Sequence, residues 1–201
     1  MAKKFYAVRK GYNTGLYESW DECKKQTSGF SGAEFKSFPT KEEAMAFIEG
    51  RKSDDNAAAS EAIAYVDGSF LVEKSMFSFG AVLFHNGEEK HFSKAFDIPD
   101  LVSMRNVAGE IKGAEFVMQY CLDNNIASID IYYDYEGIEK WCSGAWKANK
   151  SGTQRYAEFY KNASKSVKIN FIKVRGHSGV EYNELADKLA KKALGIPVDI
   201  D

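Results

Sequence analysis

The sequence predicts two α/β units: a small three-stranded one first, then a larger one on a mixed five-stranded sheet flanked by helices. Three observations predict this. Short alternating or β-rich runs interleave with capped helical runs from the first residues onward. A polar, then Ala-rich stretch without apolar periodicity, Arg51–Ser60, interrupts that pattern and reads as a tether. Beyond it, three strands follow one another closely and two more are separated by helical runs, a mixture of hairpins and crossovers. The expected boundaries are 1–50 for the first unit, 51–60 for the linker and 61–201 for the second unit.

In the first unit, Phe5–Val8 is a short strand, Gly11–Gly15 a turn and Leu16–Tyr17 a returning strand. Ser19 followed by Glu22 fits a capping box, so a helix begins near Trp20 and runs to about Thr27. Gly29 and Gly32 break it. Ala33–Phe38 then alternates as a third strand, with Phe35 and Lys36 on opposite faces. Thr40 and Glu43 repeat the capping box, opening a helix that ends at Gly50. Trp20, Phe30, Phe35 and Phe38 are many aromatics for so small a unit. Each has an ordinary reading as core beside a reading as contact surface.

The second unit opens on Ala62–Phe70, a buried run ending in Asp67, where Gly68-Ser69 is expected to turn the chain. A carboxylate there loses hydration, which is costly unless a cation or donors compensate. Phe79–Phe84 is the next strand, Asn86-Gly87 is a strong hairpin dipeptide, and a third strand runs through Phe96. Asn106–Leu122 has helical periodicity, with Val107, Ile111, Ala114, Met118 and Cys121 on one face. Glu110 falls within that stripe. An acid on a core face needs a partner, which can be a salt bridge, a cap or a metal.

Ile129–Asp134 is another buried strand ending in an acid, and parallel strands align such ends along one ligand-binding edge. Trp141–Lys150 reads as an irregular basic-aromatic segment. Ser151-Gly-Thr153 precedes a helix over Gln154–Ala163, so Thr153 is either a cap or a phosphate seat. Val167–Val174 is the last strand. A loop, Gly176-His177-Ser-Gly179, leads to a helix capped by Asn183 and closed by Gly195 and Pro197. Asp187 lies at the margin of that helix's apolar stripe. A lone loop histidine is usually incidental, but His177 stands ten residues before Asp187, which favours a functional reading.

Composition narrows the class without choosing a function. In 201 residues, 44% are hydrophobic, enough for real cores, and no apolar run approaches the ~18 residues of a membrane span. No membrane association is expected. The N-terminus lacks a charged-then-apolar signal pattern, so a cytoplasmic protein is expected. Cys23, Cys121 and Cys142 have no metal-ligand spacing and read as free thiols. Nothing marks a protein partner, and a monomer is expected. The net charge of −2 neither suggests nor excludes a polyanionic ligand, since local patches are hidden in the total.

Two resemblances sharpen this reading. Phe5-Tyr-Ala-Val, Gly15-Leu-Tyr, Trp20-x-x-Cys23, Gly29-Phe and Ala33-x-Phe35-Lys36-Ser-Phe38 resemble the hybrid-binding domain that precedes many type 1 ribonucleases H. The likeness spans residues 3–49. It implies that Trp20 and Phe35 pack on DNA sugars of an RNA/DNA hybrid and that Lys36 contacts a DNA phosphate. Ser37 stands where a second basic residue often follows. Asp67-Gly-Ser, Asn106-x-x-x-Glu110, Asp134, Gly176-His177-Ser-Gly179 and Asn183-Glu-Leu-Ala-Asp187 resemble the catalytic domain of type 1 ribonuclease H, over residues 61–195.

The second resemblance implies the ribonuclease H-like sheet and hydrolysis of the RNA strand of a hybrid, leaving 5′-phosphate and 3′-hydroxyl ends. It implies two Mg²⁺ ions, with Mn²⁺ a possible substitute. Asp67 would bridge both ions, Glu110 and Asp134 would complete one site and Asp187 the other. His177 would assist proton transfer or product release, and Asn106 would lie near the RNA contact. Mg²⁺ prefers such hard oxygen ligands. Two features depart from the pattern. Tyr135 replaces a common serine, and the segment between Asp134 and His177 is short for the basic, tryptophan-rich protrusion of some bacterial members. The alternative is a non-catalytic protein that uses both units to clamp a hybrid.

Overall fold

The computed structural model describes residues 4–48, 60–174 and 181–199, apart from the side chains of residues 42 and 46. The chain divides into two compact units, chiefly between Ser60 and Glu61. Residues 51–59 of the expected linker lie outside the described residues.

The first unit contains β1 (Phe5–Lys10), β2 (Gly15–Tyr17), α1 (Trp20–Thr27), β3 (Glu34–Phe38) and α2 (Lys41–Ile48). β1 is central and antiparallel to both neighbours, in the order β2-β1-β3. Side-chain alternation separates two faces. Phe5, paired with Phe38, and Ala7, paired with Lys36, face Ala44 and Phe47 of α2. Tyr6 points the other way and meets Trp20 of α1, ring centroids 5.8 Å apart. Both caps form: the Ser19 hydroxyl accepts the Glu22 N–H at 3.3 Å, and Thr40 accepts that of Glu43 at 3.2 Å. Ser19 also donates to the Glu22 carboxylate at 2.8 Å. The expected helix end at Gly50 lies outside the described residues.

The second unit begins with β4 (Ala62–Leu71), a 3₁₀ turn (Val72–Lys74), β5 (Met76–His85) and β6 (Glu88–Phe96). It continues with α3 (Pro99–Val102), α4 (Asn106–Asp123), β7 (Ser128–Tyr133), α5 (Gly137–Cys142), α6 (Ser151–Ala163), β8 (Lys168–Lys173) and α7 (Glu181–Ala193). The sheet order is β6-β5-β4-β7-β8, with β4, β7 and β8 parallel. Asn86 and Gly87 both have positive φ, 53° and 76°, the backbone of a type I′ hairpin turn. One face of the sheet builds the main core: Ala64, Val66, Phe79, Leu83 and Ile131 pack against Ile111, Ala114, Met118 and Tyr156. On the other face Tyr65 stacks on Tyr132 at 4.6 Å and touches Tyr182 of α7 at 5.6 Å.

Four sequence expectations need correction. Asp67 does not end its strand, because β4 continues through Gly68 and Ser69 to Leu71, and the chain turns only at Val72–Ser75. Trp141 belongs to a helix, α5, so the irregular stretch begins after it. α6 starts at Ser151, placing Thr153 inside its first turn. Asn183 is the third residue of α7, buried, and is therefore no cap. The helices extend further at their N-termini than apolar periodicity shows, since first turns carry polar residues. All three cysteines are free, as expected.

Candidate active site

The parallel register sets the first two acids side by side. Tyr65 pairs with Tyr132, so two residues further Asp67 and Asp134 occupy matching positions at the same end of adjacent strands. Alternation puts Asp67 on the Tyr65 side of the sheet, where α7 packs. Gly68 then faces α4, and this is why the dipeptide is Asp-Gly. A Cβ on Gly68 would lie 2.3 Å from the Asn106 carbonyl oxygen and 2.5 Å from the Glu110 nitrogen. Gly109 answers from the helix, where a Cβ would stand 2.9 Å from the Gly68 Cα. Two bare backbones thus let the first turns of α4 press on β4 and deliver Glu110 to the acids. Arg105, just before α4, holds φ +51° and ψ −131°, a costly conformation for an L side chain, and so sets where the helix starts.

Asp67, Glu110 and Asp134 each offer an oxygen, and these oxygens lie within 4.8 Å of one another. Asp67 is 8% and Glu110 3% exposed. Asp67 accepts the Gly68 N–H at 2.7 Å, and one Glu110 oxygen accepts from the Asn106 amide at 3.2 Å. The other Glu110 oxygen, Oε2, is buried without a hydrogen-bond partner. Burial, and secondarily Asp134, pushes the Asp67 carboxyl up to about 7. Burial, then Asp67 and Asp134, pushes Glu110 up to about 9. Burial and mutual repulsion that raise Asp67 and Glu110 this far are what a bound cation would offset, by favouring their ionised forms. Their hard oxygens and the orphaned Oε2 fit a divalent ion such as Mg²⁺.

Asp187 stands apart. It projects half-buried from α7, outside the three-oxygen group, yet its charge reaches Asp67 and raises that carboxyl. Its Oδ2 lies 2.6 Å from the Lys191 ammonium, one turn along the helix. α7 is held on β5 by contacts as close as those of α4. The Ser78 hydroxyl donates to the Ala190 carbonyl at 2.6 Å, and a Cβ on Gly80 would sit 2.0 Å from the Ala186 oxygen. His177 lies outside the described residues.

The remaining sequence-derived residues fall into two groups. Trp20 and Phe35 are 44% and 42% exposed with ring centroids 5.8 Å apart, an uncovered aromatic pair. Lys36 is exposed on the opposite face of β3, its ammonium 5.4 Å from the Phe38 ring. Asn106 opens α4, exposed, and its amide holds Glu110. Thr153 is 3% exposed, and its hydroxyl donates to the Lys150 carbonyl at 2.9 Å while accepting the Lys150 N–H at 3.2 Å, which is capping geometry. Sequence reasoning missed Lys191, although its spacing of four from Asp187 on one helix was a signal. It also passed over the packing of Tyr135 with Trp141 and Trp146, at 5.9 and 6.2 Å, with burial and then Glu110 raising the Tyr135 hydroxyl.

Comparison with known proteins adds independent findings. Residues 4–48 match the family model described as "Ribonuclease H1 N-terminal domain", and residues 59–195 the one described as "RNase H". "Ribonuclease H1" of Rattus norvegicus is 26% identical over 253 aligned positions, covering 94% of this chain and 88% of the rat protein. The Homo sapiens protein of that name is 24% identical with the same coverage. Among solved structures, RNase H1 from Halobacterium salinarum superposes with a TM-score of 0.56 at 21% identity, covering 67% of this chain and 97% of that one. LC11-RNase H1 in complex with RNA/DNA hybrid gives 0.53 at 14%, covering 66% and 99%. At these identities the structural matches speak for the fold.

Proposed function

This chain belongs to the ribonuclease H family and is a ribonuclease H, and we propose that it hydrolyses the RNA strand of RNA/DNA hybrids with two divalent cations, leaving 5′-phosphate and 3′-hydroxyl ends. One observation carries the reading: three carboxyl groups from β4, α4 and the end of β7 converge within 4.8 Å, two of them buried. A protein that only clamped hybrids would gain nothing from crowding acids where phosphates must approach. Mg²⁺ suits the all-oxygen donor set, with Mn²⁺ a substitute.

Asp67, Glu110 and Asp134 would hold one cation between them, and Asp67 with Asp187 the other. Bound there, the cations would supply Lewis acidity for an attacking water and neutralise charge on the scissile phosphate. The protein's own part is positional. The Gly68–Gly109 approach fixes Glu110 against Asp67, and Asn106 orients the Glu110 carboxylate. His177, ten residues before Asp187, is assigned to proton transfer or product release. In the first unit, the exposed Trp20 and Phe35 pair offers a stacking surface for sugars, and Lys36 an ammonium for phosphate. Recognition of the RNA strand would run through 2′-hydroxyls rather than bases.

The test is cleavage of end-labelled RNA/DNA hybrid, double-stranded RNA and double-stranded DNA, with and without Mg²⁺. We expect cutting of the hybrid's RNA strand alone, and only with the cation. Asp67→Asn and Asp134→Asn should each lose essentially all cleavage while retaining hybrid affinity. Near-normal turnover by either variant would overturn the two-cation assignment.

A further inference from the structure

We propose that Lys191 is a built-in competitor for the metal: its ammonium holds Asp187 in the cation-free protein and weakens divalent-ion binding on the Asp187 side of the site. The inference rests on the metal-site reading above and concerns which residue tunes it. Three carboxyl groups already share one small space, and the fourth acid stays out of that group. The reason lies on its own helix. Lys191 Nζ stands 2.6 Å from Asp187 Oδ2, where i and i+4 side chains meet on one face. Asp187 therefore has its counter-charge before any ion arrives, whereas Glu110 keeps a buried oxygen with none.

The helix cannot relieve this by moving. Ser78 binds the Ala190 carbonyl at 2.6 Å, and the Gly80 backbone fits so closely under Ala186 that no Cβ could intervene. The turn carrying Asp187 and Lys191 is thus clamped to β5, and freedom remains only in the two side chains. The Lys191 side chain is 36% exposed, so it can swing outward on its flexible stem when a cation takes the carboxylate. Its charge also reaches Asp67, lowering that carboxyl where Asp187 raises it, so both α7 residues act on the shared acid. A divalent ion on this side must displace the ammonium or sit beside it, and either costs affinity. An approaching phosphate offers the freed ammonium another anion, which would favour filling of this side when substrate is present.

The experiment is Mn²⁺ titration calorimetry on the full chain without nucleic acid. It compares wild type with Lys191→Met, which keeps the stem and drops the charge, and with Lys191→Arg, which keeps the charge. Partly exposed ion pairs are weak, so Lys191→Met should bind Mn²⁺ about three- to tenfold tighter. Lys191→Arg should stay near wild type, and the gain should vanish in Asp187→Asn/Lys191→Met. Mn²⁺ should also raise the melting temperature of Lys191→Met more than that of wild type, a linkage effect a merely structural lysine would not produce. Unchanged affinity in Lys191→Met, with binding lost in Asp67→Asn, overturns the role of Lys191 alone. Wild-type binding by Asp67→Asn would overturn the metal-site reading and this inference with it.

Discussion

Asp67 and Glu110 keep protons that exposed carboxylates release near pH 4, because burial and then neighbouring acids push them up to about 7 and about 9. The sign for stability follows. Between the unfolded and folded values the native state binds more protons than the unfolded chain, so stability falls as pH rises. For Asp67 the fall runs from about pH 4 through about 7, and for Glu110 it continues through about 9 before levelling. In metal-free buffer, wild type should therefore lose stability steadily across that window. Glu110→Gln, which cannot ionise there, should lose less and become the more stable protein at the alkaline end. Saturating Mg²⁺ should flatten the wild-type curve, since a cation takes the place of the protons. Thermal unfolding with EDTA or Mg²⁺ across pH reads this out, and parallel curves for the two proteins in EDTA would refute it.

α4 and α7 reach the sheet through glycine, and their placement decides whether the four acids can work together. Gly80 is the sharper test. Its added Cβ would meet the Ala186 carbonyl oxygen at 2.0 Å and the Ala190 nitrogen at 2.6 Å, backbone atoms that yield only if α7 shifts. Gly80→Ala should cost about 1–3 kcal/mol and, because α7 carries Asp187, slow hybrid cleavage even where the variant is fully folded. At Gly113 the nearest atoms are the Phe79 and Val66 Cβ carbons at 3.3 Å, so Gly113→Ala should be milder on both counts. Cleavage by folded Gly80→Ala at the wild-type rate would show that α7 placement does not matter. The same glycines mark where sequence reading ran out. Strands, hairpin and the Ser19 and Thr40 caps were legible because their causes are local: alternation, a turn dipeptide, a hydroxyl before a helix. Asp67-Gly68 read as a turn, since such pairs usually turn. Only a helix beginning some forty residues later explains why the strand runs on instead. The Asp187–Lys191 spacing was in plain view, but the direction in which that edge of α7 faces was not.

At the scale of the whole chain, the acids and the aromatic pair sit in different units, so grip and chemistry can be separated. Asp67, Glu110, Asp134 and Asp187 all follow Ser60, as does the core that holds them. Residues 61–201 alone should therefore still cut hybrid in Mg²⁺. Trp20 and Phe35 both precede Ser60, and rings of that size left more than 40% exposed side by side forgo burial that a small unit could use. Residues 1–50 should bind hybrid by themselves, and Trp20→Ala with Phe35→Ala should weaken that binding by removing the stacking surface. In the full chain, a bound first unit would keep the second near its substrate at an effective concentration of roughly millimolar, the range of a short flexible tether that can span the sites. The double variant should then make few cuts per encounter where wild type makes many, with the single-turnover rate at saturating hybrid changed less than about twofold. Product lengths would be measured after adding excess unlabelled hybrid as a trap. Equal length distributions for the two proteins would show that the pair does not tether, and an equal loss of binding and of single-turnover rate would place those rings in the fold of the unit instead of on its working surface.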